Sequence, residues 1–318
     1  MRSLRLVAAL LLPLAGSACS DGHAAPRPVR EGTVAVAPGI TLPYRLFGQG
    51  RDTVVLVAGG PGMPSGYFES AMMPLAATHV LVSYDLRGRG VPGGDTLAHG
   101  LGHDVDDLER LREALHLDSL RLVGDNWGAV VAAAYAARHP AHVARVAMLS
   151  PFWTRIAWSY QLANFSGDVN RMQAYLSAQG AGRDTSDPRT FCREFWPYRF
   201  APLIEDEPSV RAQLAGPMCA DGAAALRRES RLATAIMNSV GKGDLRDSVR
   251  GIAAPVLLLA GYRQPVYAQM YGEWREALPT ARVDSIAAPA MFPWARDPAR
   301  TMADLRTFLG GAWPAEAR

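Results

Sequence analysis

The chain has seven histidines, at 23, 79, 99, 103, 116, 139 and 142, and none lies beyond His142. No imidazole from the C-terminal half can therefore act as a base or a metal ligand. Lysine is scarcer still. Lys242 is the only one among 33 basic residues, the rest being arginine. No basic run carries interleaved aromatics, which argues against a nucleic-acid surface. The formal charge is +3, and +1 without Arg2 and Arg5, so charge selects no partner class. There are three cysteines, Cys19, Cys192 and Cys219, and none has the spacing of a zinc site. The apolar run at residues 6–14 is too short to span a bilayer as a helix. No internal repeat or long low-complexity run is present.

What remains is a 318-residue chain with 49% apolar content, enough for one large α/β domain. Three apolar runs of strand length each lead into a glycine-rich turn. Residues 54–57 precede Ala58-Gly59-Gly60-Pro61-Gly62. Residues 80–84 precede Asp85-Leu86-Arg87-Gly88-Arg89-Gly90. Residues 120–123 precede Gly124-Asp125-Asn126-Trp127-Gly128, followed by the helix-forming run 129–137. Strand, sharp turn and helix are the setting of the nucleophile elbow, G-x-S-x-G. Both glycines of that pattern stand here, but the central residue is Asn126. An amide cannot attack a carbonyl carbon as an activated serine does. Asn does tolerate the positive φ that an elbow centre adopts. Asp125 lies one residue early, and strand alternation points it elsewhere.

With these three turns in this order, the chain resembles the proline iminopeptidase-like group of the α/β-hydrolase superfamily, over roughly residues 33–309. The resemblance implies an α/β-hydrolase fold, a mostly parallel central sheet flanked by helices with a helical lid insertion. The core is expected at residues 33–151 and 252–310, with the lid at 152–251. It implies a triad in the chain order nucleophile, acid, histidine. The acid is expected just after the apolar run 255–261, where this chain has Gln264. The histidine is expected in an H-F-P-W-like segment that here reads Ala290-Met291-Phe292-Pro293-Trp294, so Met291 takes its place. All three expected triad positions, Asn126, Gln264 and Met291, hold other residues. The absence of histidine after His142 means that no histidine in any register can fill the C-terminal position. The resemblance also places the backbone N–H groups of Gly60 and Trp127 at an oxyanion hole.

The N-terminus reads as a targeting segment. Arg2 and Arg5 precede the apolar run, and Gly16-Ser17-Ala18-Cys19 resembles a bacterial lipobox, although Gly16 stands where that motif has an apolar residue. Residues 1–18 are expected to be a signal peptide and 19–32 a tether, with lipidation at Cys19 and a periplasmic or cell-envelope location. Cleavage after Ala18 with Cys19 incidental is the rival. Export permits a disulfide between Cys192 and Cys219; two thiols that never meet are the alternative. Asp104, Asp106, Asp107 and Glu109 look like a metal cluster, but at a helix start they are expected to complement the dipole. Trp153, Trp158, Phe195, Trp196 and Tyr198 either line a cleft or fill the lid core.

Three functions fit these features. One is a non-hydrolytic homologue binding a small ligand or protein partner in the old cleft. Another is a hydrolase or aminopeptidase with a rewired site. The third is a lyase or isomerase using the oxyanion hole without a nucleophile. No cofactor or metal is called for, and membrane contact is expected only through the lipid anchor.

Overall fold

The computed structural model describes residues 27–89, 98–155, 222–240, 243–261, 265–286 and 292–318. The expected signal peptide, Cys19, Cys192, Cys219, Gln264, Met291 and most of the expected lid lie outside the described residues. Of the five candidate cleft aromatics, only Trp153 is described, and it is fully buried.

Eight strands form one sheet: β1 (Arg30–Ala37), β2 (Ile40–Phe47), β3 (Thr53–Val57), β4 (Val80–Tyr84), β5 (Leu120–Asp125), β6 (Val143–Leu149), β7 (Val256–Gly261) and β8 (Arg282–Ile286). Their order is β1-β2-β4-β3-β5-β6-β7-β8. The β1–β2 and β2–β4 pairings are antiparallel, and every pairing from β4 to β8 is parallel. This is the α/β-hydrolase fold, as the strand–turn–helix pattern implies. The central strands read as continuous apolar runs because helices cover both faces of the sheet. Every residue of β7 is buried.

Alternation divides β3 between two cores. Val54 and Leu56 pack with helices α1 (Gly66–Met72) and α8 (Pro298–Leu309), through Phe68, Leu305 and Phe308. Val55 and Val57 face α2 (Leu101–Ala114) and α3 (Trp127–Arg138), through Leu108, Trp127 and Val131. The other helices are α4 (Gly222–Val240), α5 (Arg246–Val249), α6 (Pro265–Ala277) and α7 (Pro293–Arg296). The open edge of β8 is covered by the C-terminal residue: Val283 N–H donates to Arg318 O (2.8 Å), and Arg318 N–H returns the bond (3.1 Å). Covering an edge in this way removes a template for pairing with another chain.

The two feet of the expected lid are tied together. Arg155 bridges Asp244 in antiparallel fashion, and Leu245 N–H donates to Thr154 O at 3.0 Å. Glu273 on α6 takes bonds from the Thr154 hydroxyl (2.7 Å) and the Arg155 guanidinium. Residues 154–155 and 244–245 therefore meet at one anchored point.

The acids of α2 divide by face instead of acting together on the helix dipole. Only Asp104 falls in the first turn. Asp104 and Asp107 are buried and paired with the arginines of the Asp85–Gly90 turn. A short window of acidic residues gave no sign of this, because the partners sit 15 and 20 residues upstream.

Candidate functional site

The site is the C-terminal end of β5, where ligands of open parallel sheets bind. Asn126 sits between β5 and α3 with φ 48° and ψ −108°. That conformation costs a non-glycine residue roughly 1–3 kcal/mol and persists only where the surroundings enforce it. Here they do. Asn126 N–H donates to Leu149 O (2.9 Å), and Asn126 O accepts from Phe152 N–H (3.2 Å). Two close backbone approaches seal the turn. A Cβ on Gly128 would overlap the carbonyl oxygen of Val57, and one on Gly59 would overlap that of Asp125. Only glycine lets these segments touch. Asn126 is almost fully buried, and its side chain does not cap the helix that follows it.

The arginine turn holds this arrangement in place. Arg89, with no side-chain exposure, forks onto Asp104 at 2.8 and 2.9 Å. Its Nε donates to Pro61 O at 2.9 Å, within the turn that contains Gly60. Asp104 also accepts the indole N–H of Trp127 at 3.0 Å. One buried ion pair thus joins the Gly59–Gly62 turn, α2 and the first residue of α3. Removing either member would leave an uncompensated charge in the core. Gly60 has φ 55°, and Trp127 is residue N1 of α3. Its backbone amide is therefore among those a helix start leaves without an intrahelical acceptor, at the positive end of the dipole.

Gln264 and Met291 cannot be placed, but their neighbours converge on this end of the sheet. Gly261 ends β7, two residues before the undescribed Arg263. Phe292, with φ 60°, follows position 291. Its ring lies edge-on to Tyr67, with centroids 6.3 Å apart.

Tyr67 leads to a group that sequence reasoning set aside. Its hydroxyl donates to Asp125 Oδ2 at 2.6 Å and accepts Gly59 N–H at 2.8 Å. The Asp125 carboxyl thus lies in a polar cluster and not in solvent. It is 1% exposed, and its Oδ1 has no hydrogen-bond partner among the described residues. Burial pushes its pKa up to about 8, against the opposing pull of the Tyr67 hydrogen bond. Tyr271 lies close by; its hydroxyl bonds with Ser150 and the Gly261 backbone, and burial raises its pKa. The available signal was the acid itself, a carboxylate closing an apolar strand.

The arrangement offers two backbone amides near the turn, a buried carboxyl whose pKa is raised and a buried phenol. The residue at its apex is an amide. A model of the alpha/beta hydrolase fold matches residues 52–288. The chain is 32% identical to the proline iminopeptidase of Heyndrickxia coagulans over 132 residues, 40% of this chain and 45% of that protein. It is 33% identical to the cis-3-alkyl-4-alkyloxetan-2-one decarboxylase of Shewanella oneidensis over 116 residues, 35% of this chain and 36% of that protein. The chain thus spans less than half the length of these curated relatives. The solved proline iminopeptidase of Mycobacterium smegmatis superposes with a TM-score of 0.64 at 18% identity, covering 88% of this chain and 98% of that one. VinJ superposes with a TM-score of 0.68 at 19% identity, covering 89% and 99%. With three quarters of its length matched by the family model and the elbow geometry in place, this chain belongs to the α/β-hydrolase family.

Proposed function

We propose that the chain is a non-hydrolytic α/β-hydrolase that binds a small ligand or a partner in the cleft its relatives use for catalysis. The observation that carries this reading is Asn126 at the apex of a fully formed elbow. The backbone is held in the strained conformation an attacking hydroxyl needs, and the hydroxyl is absent. The absence of histidine after His142 supports it, since an uncharged serine or threonine recruited from elsewhere would still need a base within hydrogen-bond reach. A serine-directed fluorophosphonate probe tests the proposal. Applied beside an active proline iminopeptidase, it should label the relative and leave this chain unlabelled. Covalent labelling of any residue of the native chain would overturn the reading.

A second reading rests on Asp125 and Tyr67. A carboxyl kept neutral at physiological pH beside a phenol can donate a hydrogen bond or a proton to a developing oxyanion. That chemistry suits a lyase or isomerase, which needs no nucleophile, and the Shewanella relative is a decarboxylase. We further propose an exported, cell-envelope location with lipidation at Cys19, and a disulfide between Cys192 and Cys219. Both rest on the sequence pattern alone.

A further inference from the structure

At the opposite end of the parallel strands, just before β6 begins, three side chains from separate segments meet. They are Glu109 on α2, His139 at the C-cap of α3, and His142 at the end of the 3-10 turn Pro140–His142. One ligand-type atom from each lies within 4.8 Å of the others. The place is remote from Asn126. His142 immediately precedes β6, whose last residue pairs with Asp125. Seven residues of strand set the two ends roughly 20 Å apart at about 3.3 Å per residue. From these residues we propose a site for one divalent transition-metal cation of the zinc class, held by Glu109, His139 and His142.

Three observations carry it. The two imidazoles present buried nitrogens without hydrogen bonds: His139 Nε2 and His142 Nδ1 have no hydrogen-bond partner among the described residues. Buried polar atoms in native proteins are nearly always satisfied, and an exception calls for an explanation. His142 Nδ1 lies 3.1 Å from Glu109 Oε1, yet the pair is not aligned as a hydrogen bond. Ligand atoms about 2.0–2.1 Å from a tetrahedral zinc are separated by about 3.3 Å, so this spacing suits two ligands of one ion.

The carboxylate is already oriented. Arg112 forks onto Glu109, with Nε to Oε2 at 2.9 Å and Nη2 to Oε1 at 2.8 Å, and the Tyr135 hydroxyl donates to Oε2 at 2.5 Å. A carboxylate offers about four lone-pair sites. These three bonds leave one, on Oε1, the oxygen nearest His142. Outer hydrogen bonds of this kind hold a ligating carboxylate in its binding pose. The positive charge of Arg112 weighs against a cation, and it also fixes the carboxylate as an anion.

The backbone that carries the imidazoles is fixed as well. The main-chain N–H of His139 donates to Tyr135 O at 2.8 Å, and the main-chain N–H of His142 to His139 O at 2.9 Å. Pro140 stiffens the turn between them. The rings stand nearly parallel, 8° apart in plane, with centroids 6.0 Å apart. Arg138, the nearest other cation in sequence, is paired with Asp106 at 2.9 Å on the solvent side. The His142 side chain is 35% exposed although its Nδ1 is buried, so the cluster lies just beneath the surface. Imidazole and carboxylate together select zinc, copper or nickel over calcium or magnesium. A bound ion would clamp α2 to the α3–β6 corner.

The test is isothermal titration of zinc chloride into the full, tag-free chain after treatment with chelator. One zinc per chain is expected to bind. The double variant His139→Ala with His142→Ala should weaken binding by at least about 100-fold, the upper range for loss of an outer-shell partner alone. His103→Ala should leave it unchanged. If the double variant does not fold, the single His142→Gln, at a partly exposed position, takes its place. Crystals soaked in zinc should give an anomalous peak between the three side chains. No stoichiometric uptake would overturn the proposal, leaving Glu109 and His142 as an ion pair. Undiminished binding by the variants, or a peak elsewhere, would overturn it equally.

Discussion

At pH 8 the Asp125→Asn variant is expected to be more stable than the wild type, by as much as about 5 kcal/mol, and at pH 4 to be equally stable. The Asp125 carboxyl has its pKa raised from 3.8 to about 8 by complete burial. Among the described residues no cation offsets that burial, and the favourable contact is the Tyr67 hydroxyl. Between these two values the folded chain keeps a proton that the unfolded chain releases. Wild-type stability therefore falls as pH rises through this window and levels off above about 8. Each unit of the gap is about 1.4 kcal/mol, which sets the ceiling. Asparagine has the same shape, accepts the Tyr67 hydroxyl and cannot ionise. Other groups, such as Glu109, held down to about 2 by Arg112, affect both proteins alike and cancel in the difference. Urea midpoints of the two proteins across pH 4–9 give the measurement. Parallel curves would mean that Asp125 is ionised and paired.

The second large effect concerns the elbow. If only side chains distinguish this cleft from a working one, then Asn126→Ser, Gln264→Asp and Met291→His together should create esterase activity. The expected gain over each single variant is at least about 100-fold, the low end of what a positioned general base supplies. Fluorophosphonate should then attach to the new serine. The single variants should do little, because nucleophile, base and orienting acid act as a unit. The prediction relies on the backbone already described: Asn126 at φ 48°, Gly59 and Gly128 against their neighbours' carbonyls, and Trp127 fixed by Asp104. A folded triple variant without labelling would contradict it, and would place the acid or the histidine somewhere other than 264 and 291.

The fold was legible because its signals are local. Each apolar run ends in a turn that glycine alone can make, so β3, β4, β5 and α3 could be read from a few residues at a time. The family resemblance then supplied the order of the rest. What could not be read are contacts between distant residues. Asp125 meets Tyr67 across 58 positions, and nothing near Gly66–Met72 suggests that a tyrosine there will hold a carboxyl beneath the elbow. Strand alternation at Asp125 cannot tell a polar pocket from solvent. The acids of α2 show the same limit. Asp104 and Asp107 face the core and find Arg89 and Arg87, while Asp106 faces outward. Which face an acid occupies depends on where the helix starts, and Leu101 follows a loop without a strong capping residue. Glu109 stands with those acids in the sequence, whereas the imidazoles beside it, His139 and His142, come from the C-cap of α3 and the turn that follows it.

The most direct test of the central claim is turnover of aminoacyl and short acyl chromogenic esters by the purified native chain and by Asn126→Ala. An elbow that keeps its geometry without a nucleophile predicts that both proteins stay at the buffer rate. Turnover well above that rate in the native chain would contradict the account. If it persisted in Asn126→Ala, a different site would be at work; if it vanished, Asn126 itself would be part of the chemistry.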